Sequence, residues 1–170
     1  MATKTKNKKK KSGKAAPNAD KSKLVIVESP AKARTLSGIL GPEYSVIASM
    51  GHVRDLPKKN LEIPENEDFK PKYLVIADKR KIVSELKKAS SNAETVYLAT
   101  DPDREGEAIA WHLIEAAKID VLKVKRVVFH EITEPAVKEA FDNTRDIDTN
   151  LVDAQQARRV IYHVVGFDYQ

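Results

Sequence analysis

Short apolar runs alternate with amphipathic segments along this chain. Apolar runs rich in β-branched residues predict buried strands, and apolar residues three or four positions apart predict helices that cover them. The predicted strands are 24–28, 44–50, 73–77, 95–100 and 126–130, and the predicted helices are 31–40, 79–89, 104–118, 134–143 and 148–165. Strands separated by helices predict an α/β fold, with a mainly parallel sheet that carries helices on both faces.

Capping and breaking residues support several of these boundaries. Ser29 followed by Pro30 is a typical helix start, and Gly41-Pro42 is a typical stop. Prolines at 57, 64 and 71 predict a loop over 51–57 and an irregular, polar excursion over 58–72. The chain shows no internal repeat, and its 170 residues suffice for one core, either as a single domain or as a domain with the start of another.

A cluster of acidic residues follows the strand predicted over 95–100, in the segment A-T-D-P-D-R-E-G-E-A-I-A-W-H. Its first three carboxylates are Asp101, Asp103 and Glu105. Oxygen ligands of this kind suit Mg²⁺, which completes its shell with water or phosphate. Acids at a helix start can instead cap the helix and complement its dipole. Three acids with an arginine between them and a glycine directly after them favour the metal site.

A fourth carboxylate, Glu28, closes the first strand as Asp101 closes the strand 95–100. Ligands of parallel sheets gather at the carboxyl ends of the strands. If these two strands are neighbours, we expect the four carboxylates to converge on one spot. Carboxylates so close together need a cation, and one of them can keep its proton at neutral pH and act as a general acid. Lys32, in the first turn of the next helix, is then a candidate phosphate contact. Taken singly, Glu28 also fits a solvated strand end and Lys32 a surface lysine.

Charge and composition divide the chain at Lys23. The net charge is +5, but residues 1–23 hold nine lysines and one aspartate, so the remainder has more acidic than basic side chains. This composition predicts a disordered Lys-rich tail, either a non-specific contact for phosphate backbones or a solubility extension. The absence of cysteine excludes disulfides and thiolate zinc sites. Because no apolar run approaches the about 18 residues of a membrane span, we expect a soluble, cytoplasmic protein.

Five segments, in family order and spacing, closely resemble the N-terminal part of bacterial type IA DNA topoisomerase I. They are L-V-I-V-E-S-P-A-K-A-R-T-L from Leu24, S-M-G-H-V-R-D-L-P from Ser49, the acidic segment from Ala99, R-V-V-F-H-E-I-T from Arg126 and D-A-Q-Q-A-R-R-V from Asp153. The resemblance implies a Toprim domain over 24–143, with a Rossmann-like four-stranded sheet. It also implies that residues 148–170 begin a helical DNA-binding domain, truncated here.

The same resemblance implies a role for each matching residue. Mg²⁺ would be held by Glu28, Asp101, Asp103 and Glu105. Glu28 would also help to protonate the leaving 3′ oxygen, and Lys32 would stabilise charge on the scissile phosphate. The implied DNA contacts are His52, Arg54, Arg104, Arg158 and Arg159, although a locally hydrogen-bonded His52 is an equal alternative.

The implied activity is relaxation of negatively supercoiled DNA through a single-strand break and passage, in the bacterial nucleoid. It requires a nucleophilic tyrosine, which the family carries in a later domain. None of the five tyrosines of this chain matches that context, and Tyr162-His163 replaces the family's usual Asp-Arg pair. We therefore expect the chain to be inactive alone and to need single-stranded DNA and the remaining topoisomerase domains as partners. The alternatives are a stand-alone Toprim nuclease or primase, and a non-catalytic nucleic-acid-binding module that depends on the tail.

Overall fold

The computed structural model describes residues 23–57 and 72–165, with side chains described to residue 163. Three predictions lie outside these residues: the disordered tail up to residue 22, the irregular excursion over 58–71, and the chain end over 166–170.

Six strands and five α-helices make up the described part of the chain. The strands are β1 (Lys23–Val27), β2 (Tyr44–Ala48), β3 (Arg54–Asp55), β4 (Leu74–Val75), β5 (Thr95–Leu98) and β6 (Val124–Arg126). The α-helices are α1 (Pro30–Leu40), α2 (Arg80–Asn92), α3 (Arg104–Ala117), α4 (Glu134–Asp142) and α5 (Thr149–Val165), with short 3₁₀ turns at Ala77–Lys79 and Val121–Lys123.

Four strands form a parallel sheet in the order β2-β1-β5-β6, which confirms the predicted sheet. In the central pair Ile26 lies opposite Leu98, and the Ala99 N–H donates to the Ile26 carbonyl at 3.0 Å. The carboxyl ends of β1 and β5 are therefore neighbours, and Glu28 and Asp101 leave the sheet at the same edge.

Alternate residues of the central strands face two separate cores, because successive side chains of a strand point to opposite faces. On one face Leu24 and Ile26 pack with residues of α2 and α3, including Leu86 and Leu113. On the other face Val25 and Val27 pack with Leu36 of α1 and Val137 of α4. Helices therefore cover both faces, as predicted, and each buried Leu or Ile contributes about 1.5–3 kcal/mol.

Local sequence explains where the helices flanking the site begin. The Ser29 side chain accepts from the Lys32 N–H at 3.2 Å, and Pro30 occupies the first turn of α1. The Asp103 side chain accepts from the Gly106 N–H at 2.7 Å and caps α3. Within residues 23–57 and 72–165, no helix is long and apolar enough to cross a membrane.

Two predicted strands differ from the structure. The strand predicted over 126–130 is β6, which ends at Arg126; Val127 and Phe129 are buried outside it, against the core that contains α4. The strand predicted over 73–77 pairs antiparallel with residues 54–55, which were predicted as loop. The first difference arises because burial accounts for an apolar run in an irregular segment as well as in a strand. The second arises because the two-residue strand Arg54–Asp55 is too short and polar to give a strand pattern.

Candidate active site

Glu28, Lys32 and Asp101 form an ion-paired cluster at the adjoining ends of β1 and β5. The Lys32 ammonium donates to Glu28 Oε1 at 2.9 Å and to Asp101 Oδ1 at 3.2 Å. Lys32 is buried at 7% exposure, so the two carboxylates offset the cost of desolvating its charge. Lys32 reaches both because α1 starts directly after β1 and presents its first turn to the sheet edge.

One oxygen of this cluster, Glu28 Oε2, differs from the others in its hydrogen bonding. Glu28 Oε2 is buried and has no hydrogen-bond partner among the described residues. A buried carboxylate oxygen left unsatisfied costs about 1–3 kcal/mol or more. This oxygen is therefore available to a ligand atom or a proton.

The remaining acids of the predicted metal site have separate partners. Asp103 caps α3, and Glu105 Oε1 lies 3.3 Å from His52 Nε2. Neighbouring strands thus bring Glu28 and Asp101 together as predicted, but the expected convergence of four carboxylates is not observed. The reason is local: Asp103 caps the start of α3 through Oδ1, and the loop before β3 places His52 beside Glu105.

The donor set still fits a magnesium ion. No group of three His, Cys, Asp or Glu side chains within the described ranges is arranged to hold a metal. Mg²⁺ is usually held by only one or two carboxylates together with water and substrate phosphate. The Asp101 and Glu105 side chains are 60% and 63% exposed, so their oxygens are open to such an ion.

Arg54 is enclosed by aromatic rings. Its guanidinium carbon lies 5.3 Å from the centroid of the Tyr73 ring and 4.9 Å from that of Trp111, and its Nε donates to His112 Nδ1 at 3.0 Å. Burial lowers the pKa of the Arg54 guanidinium and raises the pKa of Tyr73 to about 12. Arg54 is thus held in one orientation by two rings and one hydrogen bond, while its buried Nη2 has no partner among the described residues.

We expect His112 to make the stability of the protein pH-dependent. Burial, followed by the charge of Arg54, lowers the pKa of His112 from 6.5 to about 3. A lowered histidine pKa gives stability that is complete above about 6.5 and is lost as the pH falls towards 3. We expect this histidine alone to remove about 2 kcal/mol of unfolding free energy between pH 7 and pH 5.

Urea unfolding of the wild type and of His112→Gln at both pH values tests this expectation. The variant should be less stable at pH 7 but should lose about 2 kcal/mol less on acidification. His130→Gln, which replaces an exposed histidine, should behave like the wild type. An equal loss on acidification in His112→Gln would contradict the assignment.

An open groove of about 710 Å³ lies between this acidic edge and α5. All five predicted DNA contacts line it: His52, Arg54, Arg104, Arg158 and Arg159. Arg159 forms two 3.1 Å hydrogen bonds to the Asp55 carboxylate, and Arg158 lies 5.9 Å from the centroid of the Tyr162 ring. Adjacent residues on a helix point in different directions, so only one of these arginines was expected to face the groove. In the structure both of them line it.

Three charged residues beneath the acidic edge were not predicted. Arg126 and Glu107 are completely buried and paired at 2.7 Å, and Arg145 also donates to Glu107. Burial by itself would raise the pKa of Glu107, but hydrogen bonds from Arg145 and the charge of Arg126 hold it below the ordinary value. The only sequence signal was position: Glu107 lies on the apolar face of α3, directly before Ala108 and Ile109.

Comparisons with known proteins agree with this geometry. Residues 23–132 match the sequence model of the family described as Toprim domain. The structure of full-length topoisomerase I from Thermotoga maritima is similar with a TM-score of 0.76 and 46% sequence identity. The similarity covers 84% of this chain and 24% of that one, so the chain spans about a quarter of that protein.

Proposed function

The chain belongs to the Toprim family, and we propose that it supplies the metal-binding and DNA-facing part of a type IA DNA topoisomerase I. The observation that carries this proposal is the cluster of Glu28, Lys32 and Asp101 at adjacent strand ends. It joins a buried cation, two carboxylates and one oxygen without a hydrogen-bond partner among the described residues. These are the groups needed to bind and polarise a phosphodiester. The same acidic loop reaches the arginine-lined groove through Asp103 and Glu105, whereas Glu28, Lys32 and Asp101 lie outside the groove lining.

Asp101, Asp103 and Glu105 would hold Mg²⁺, with Glu28 at the edge of the same site. The bound ion would supply charge neutralisation at the DNA phosphates. Because Lys32 already neutralises Glu28 and Asp101 in part, the metal would use the exposed oxygens of the acidic loop. Asp103 can serve as cap and ligand together, since the cap hydrogen bond uses only Oδ1.

Lys32 and Glu28 would act on the scissile phosphate itself. Lys32 would donate to a phosphate oxygen and stabilise the charge that develops there, exchanging a carboxylate partner for the phosphate. Glu28, released from Lys32 and protonated from water, would then give this proton through Oε2 to the leaving 3′ oxygen and take it back from the 3′ hydroxyl on religation. The nucleophile would be a tyrosine of another domain.

The groove would hold a single DNA strand. His52, Arg104 and Arg158 offer donors along it, while Arg54 and Arg159 are already fixed by His112 and Asp55 and would shape it. Strand binding through such cations should weaken steeply with salt. We further propose that the Toprim domain extends over 24–143, and that α5 begins the helical domain which completes the groove.

The whole enzyme would relax negatively supercoiled DNA in the bacterial cytoplasm, next to the nucleoid. Relaxation must conserve the phosphodiester energy in a covalent link to protein, and the acidic site alone cannot form that link. The 170-residue chain by itself should therefore bind DNA and metal without relaxing plasmid. Metal-dependent cleavage of DNA or RNA by the chain alone would instead favour a stand-alone Toprim nuclease.

A Mn²⁺ and Mg²⁺ titration tests the metal site directly. We expect weak binding to the wild-type chain, because the phosphate that completes the shell is absent. Replacing Asp101 and Asp103 together by Asn should abolish the binding, while the helix keeps its cap because Asn caps as well as Asp. The matched control is Glu139→Gln with Asp142→Asn on the exposed face of α4. Unchanged affinity in the Asp101/Asp103 variant would place the metal elsewhere.

A further inference from the structure

The Arg126 guanidinium lies beneath the acidic loop with no exposed surface. Its Nη1 donates to the carbonyls of Leu98, Thr100 and Val127 at 3.1, 2.7 and 3.0 Å. Its Nη2 donates to the Asp101 carbonyl at 2.6 Å. Three of these four acceptors belong to the end of β5 and the residues that lead to the Asp101 carboxylate.

The Asp101 carbonyl is also confined from the opposite side. A Cβ atom placed on Gly106 would lie 1.8 Å from this oxygen, so the start of α3 approaches it as closely as only glycine permits. Thr100 Oγ1 adds a 2.7 Å hydrogen bond to the Gly106 carbonyl. The peptide that carries Asp101 is therefore held between Arg126 and the helix start.

Arg126 is held in turn by Glu107. Glu107 accepts from Arg126 Nε at 2.7 Å, from Arg145, and from the Asp148 N–H at 3.1 Å. Asp148 accepts from the N–H groups of Asn150 and Leu151 and so caps α5. Both oxygens of the Glu107 carboxylate therefore accept hydrogen bonds, and the Arg126 guanidinium is held in a single orientation.

We propose that Arg126 is a positioning residue that fixes the peptide of Asp101 and thereby sets where the metal-binding carboxylate points. Stability alone does not account for a buried ion network, because apolar residues of similar volume usually replace one at no cost. An apolar residue could not, however, hold three carbonyls at the end of one strand. The inference rests on the proposed metal site and concerns a residue outside it.

Arg126→Lys tests this role, with Arg145→Lys as the matched control. Both variants keep a positive charge beside Glu107, but only the first loses the planar fork that holds the carbonyls of the loop. We expect Arg126→Lys to weaken Mn²⁺ binding by about 10- to 100-fold. It should also speed amide hydrogen exchange in residues 99–107. Arg145→Lys should stay within about twofold of the wild type in metal affinity.

The two measurements separate the inference from the proposed function. If the wild type binds no metal, the proposed function fails, and hydrogen exchange still decides whether Arg126 holds the loop. Unchanged exchange and affinity in Arg126→Lys, or equal losses in both variants, would overturn the inference. If Arg126→Lys fails to fold, nitrogen NMR of the wild type provides the test instead. The Arg126 Nε–H signal should shift on Mg²⁺ addition, and the Arg145 signal should not. A silent Arg126 signal in metal-bound protein would also overturn it.

Discussion

Replacing Glu28 by alanine should slow DNA cleavage by about 10²- to 10⁴-fold in protein that also supplies the tyrosine-bearing domains. Oε1 of Glu28 is bonded to Lys32, whereas Oε2 is buried and unsatisfied among the described residues. An acid in this position can protonate the leaving oxygen without competing with solvent. Its removal therefore raises the barrier of cleavage and of religation alike.

Single-turnover cleavage of a labelled single-stranded oligonucleotide is the appropriate measurement, since it isolates the chemical step from strand passage. Glu28→Gln, which keeps the hydrogen bonding but cannot exchange a proton at neutral pH, should fall between alanine and the wild type. Glu43→Ala, at an exposed glutamate of the β2 entry, should cleave at the wild-type rate. Cleavage within about threefold of the wild type in Glu28→Ala would exclude the general-acid role.

The sequence predicted the α/β class and the position of Glu28 and Asp101 at adjacent strand ends, for a physical reason. Strand and helix periodicity are local, and parallel strands must place their carboxyl ends at one edge. The order β2-β1-β5-β6 was not available from local pattern, because it depends on contacts between residues about 70 positions apart. The contact of Lys32 with Asp101 is of this kind. From the sequence, Lys32 was predicted only as a phosphate contact.

Burial of charge was the main property that local reading missed. Asp103 caps α3, which was the alternative to a metal-binding role in the sequence analysis, because the first turn of the helix needs an acceptor. Glu107 and Arg126 were overlooked since a charged residue is ordinarily exposed, and only the partner 19 residues away makes its burial tolerable. The aromatic enclosure of Arg54 was not predictable either, because Tyr73 and Trp111 come from distant segments of the chain.

Glu107→Ala should lower the free energy of unfolding by about 3–5 kcal/mol. The variant leaves Arg126 buried with its charge uncompensated, and it removes the acceptor of the Asp148 N–H at the start of α5. Urea unfolding at pH 7 measures the loss. Glu105→Ala, two residues earlier on the same helix and 63% exposed, is the matched control and should change stability by no more than about 0.5 kcal/mol.

A double variant separates the energetic role of the pair from its positioning role. Glu107→Leu combined with Arg126→Met replaces the buried ions by apolar side chains, so it should recover most of the stability lost in Glu107→Ala. It cannot restore the hydrogen bonds to the Thr100 and Asp101 carbonyls. We therefore expect a stable protein with Mn²⁺ affinity still about 10- to 100-fold below the wild type. If stability and metal affinity returned together, the network would serve the fold alone.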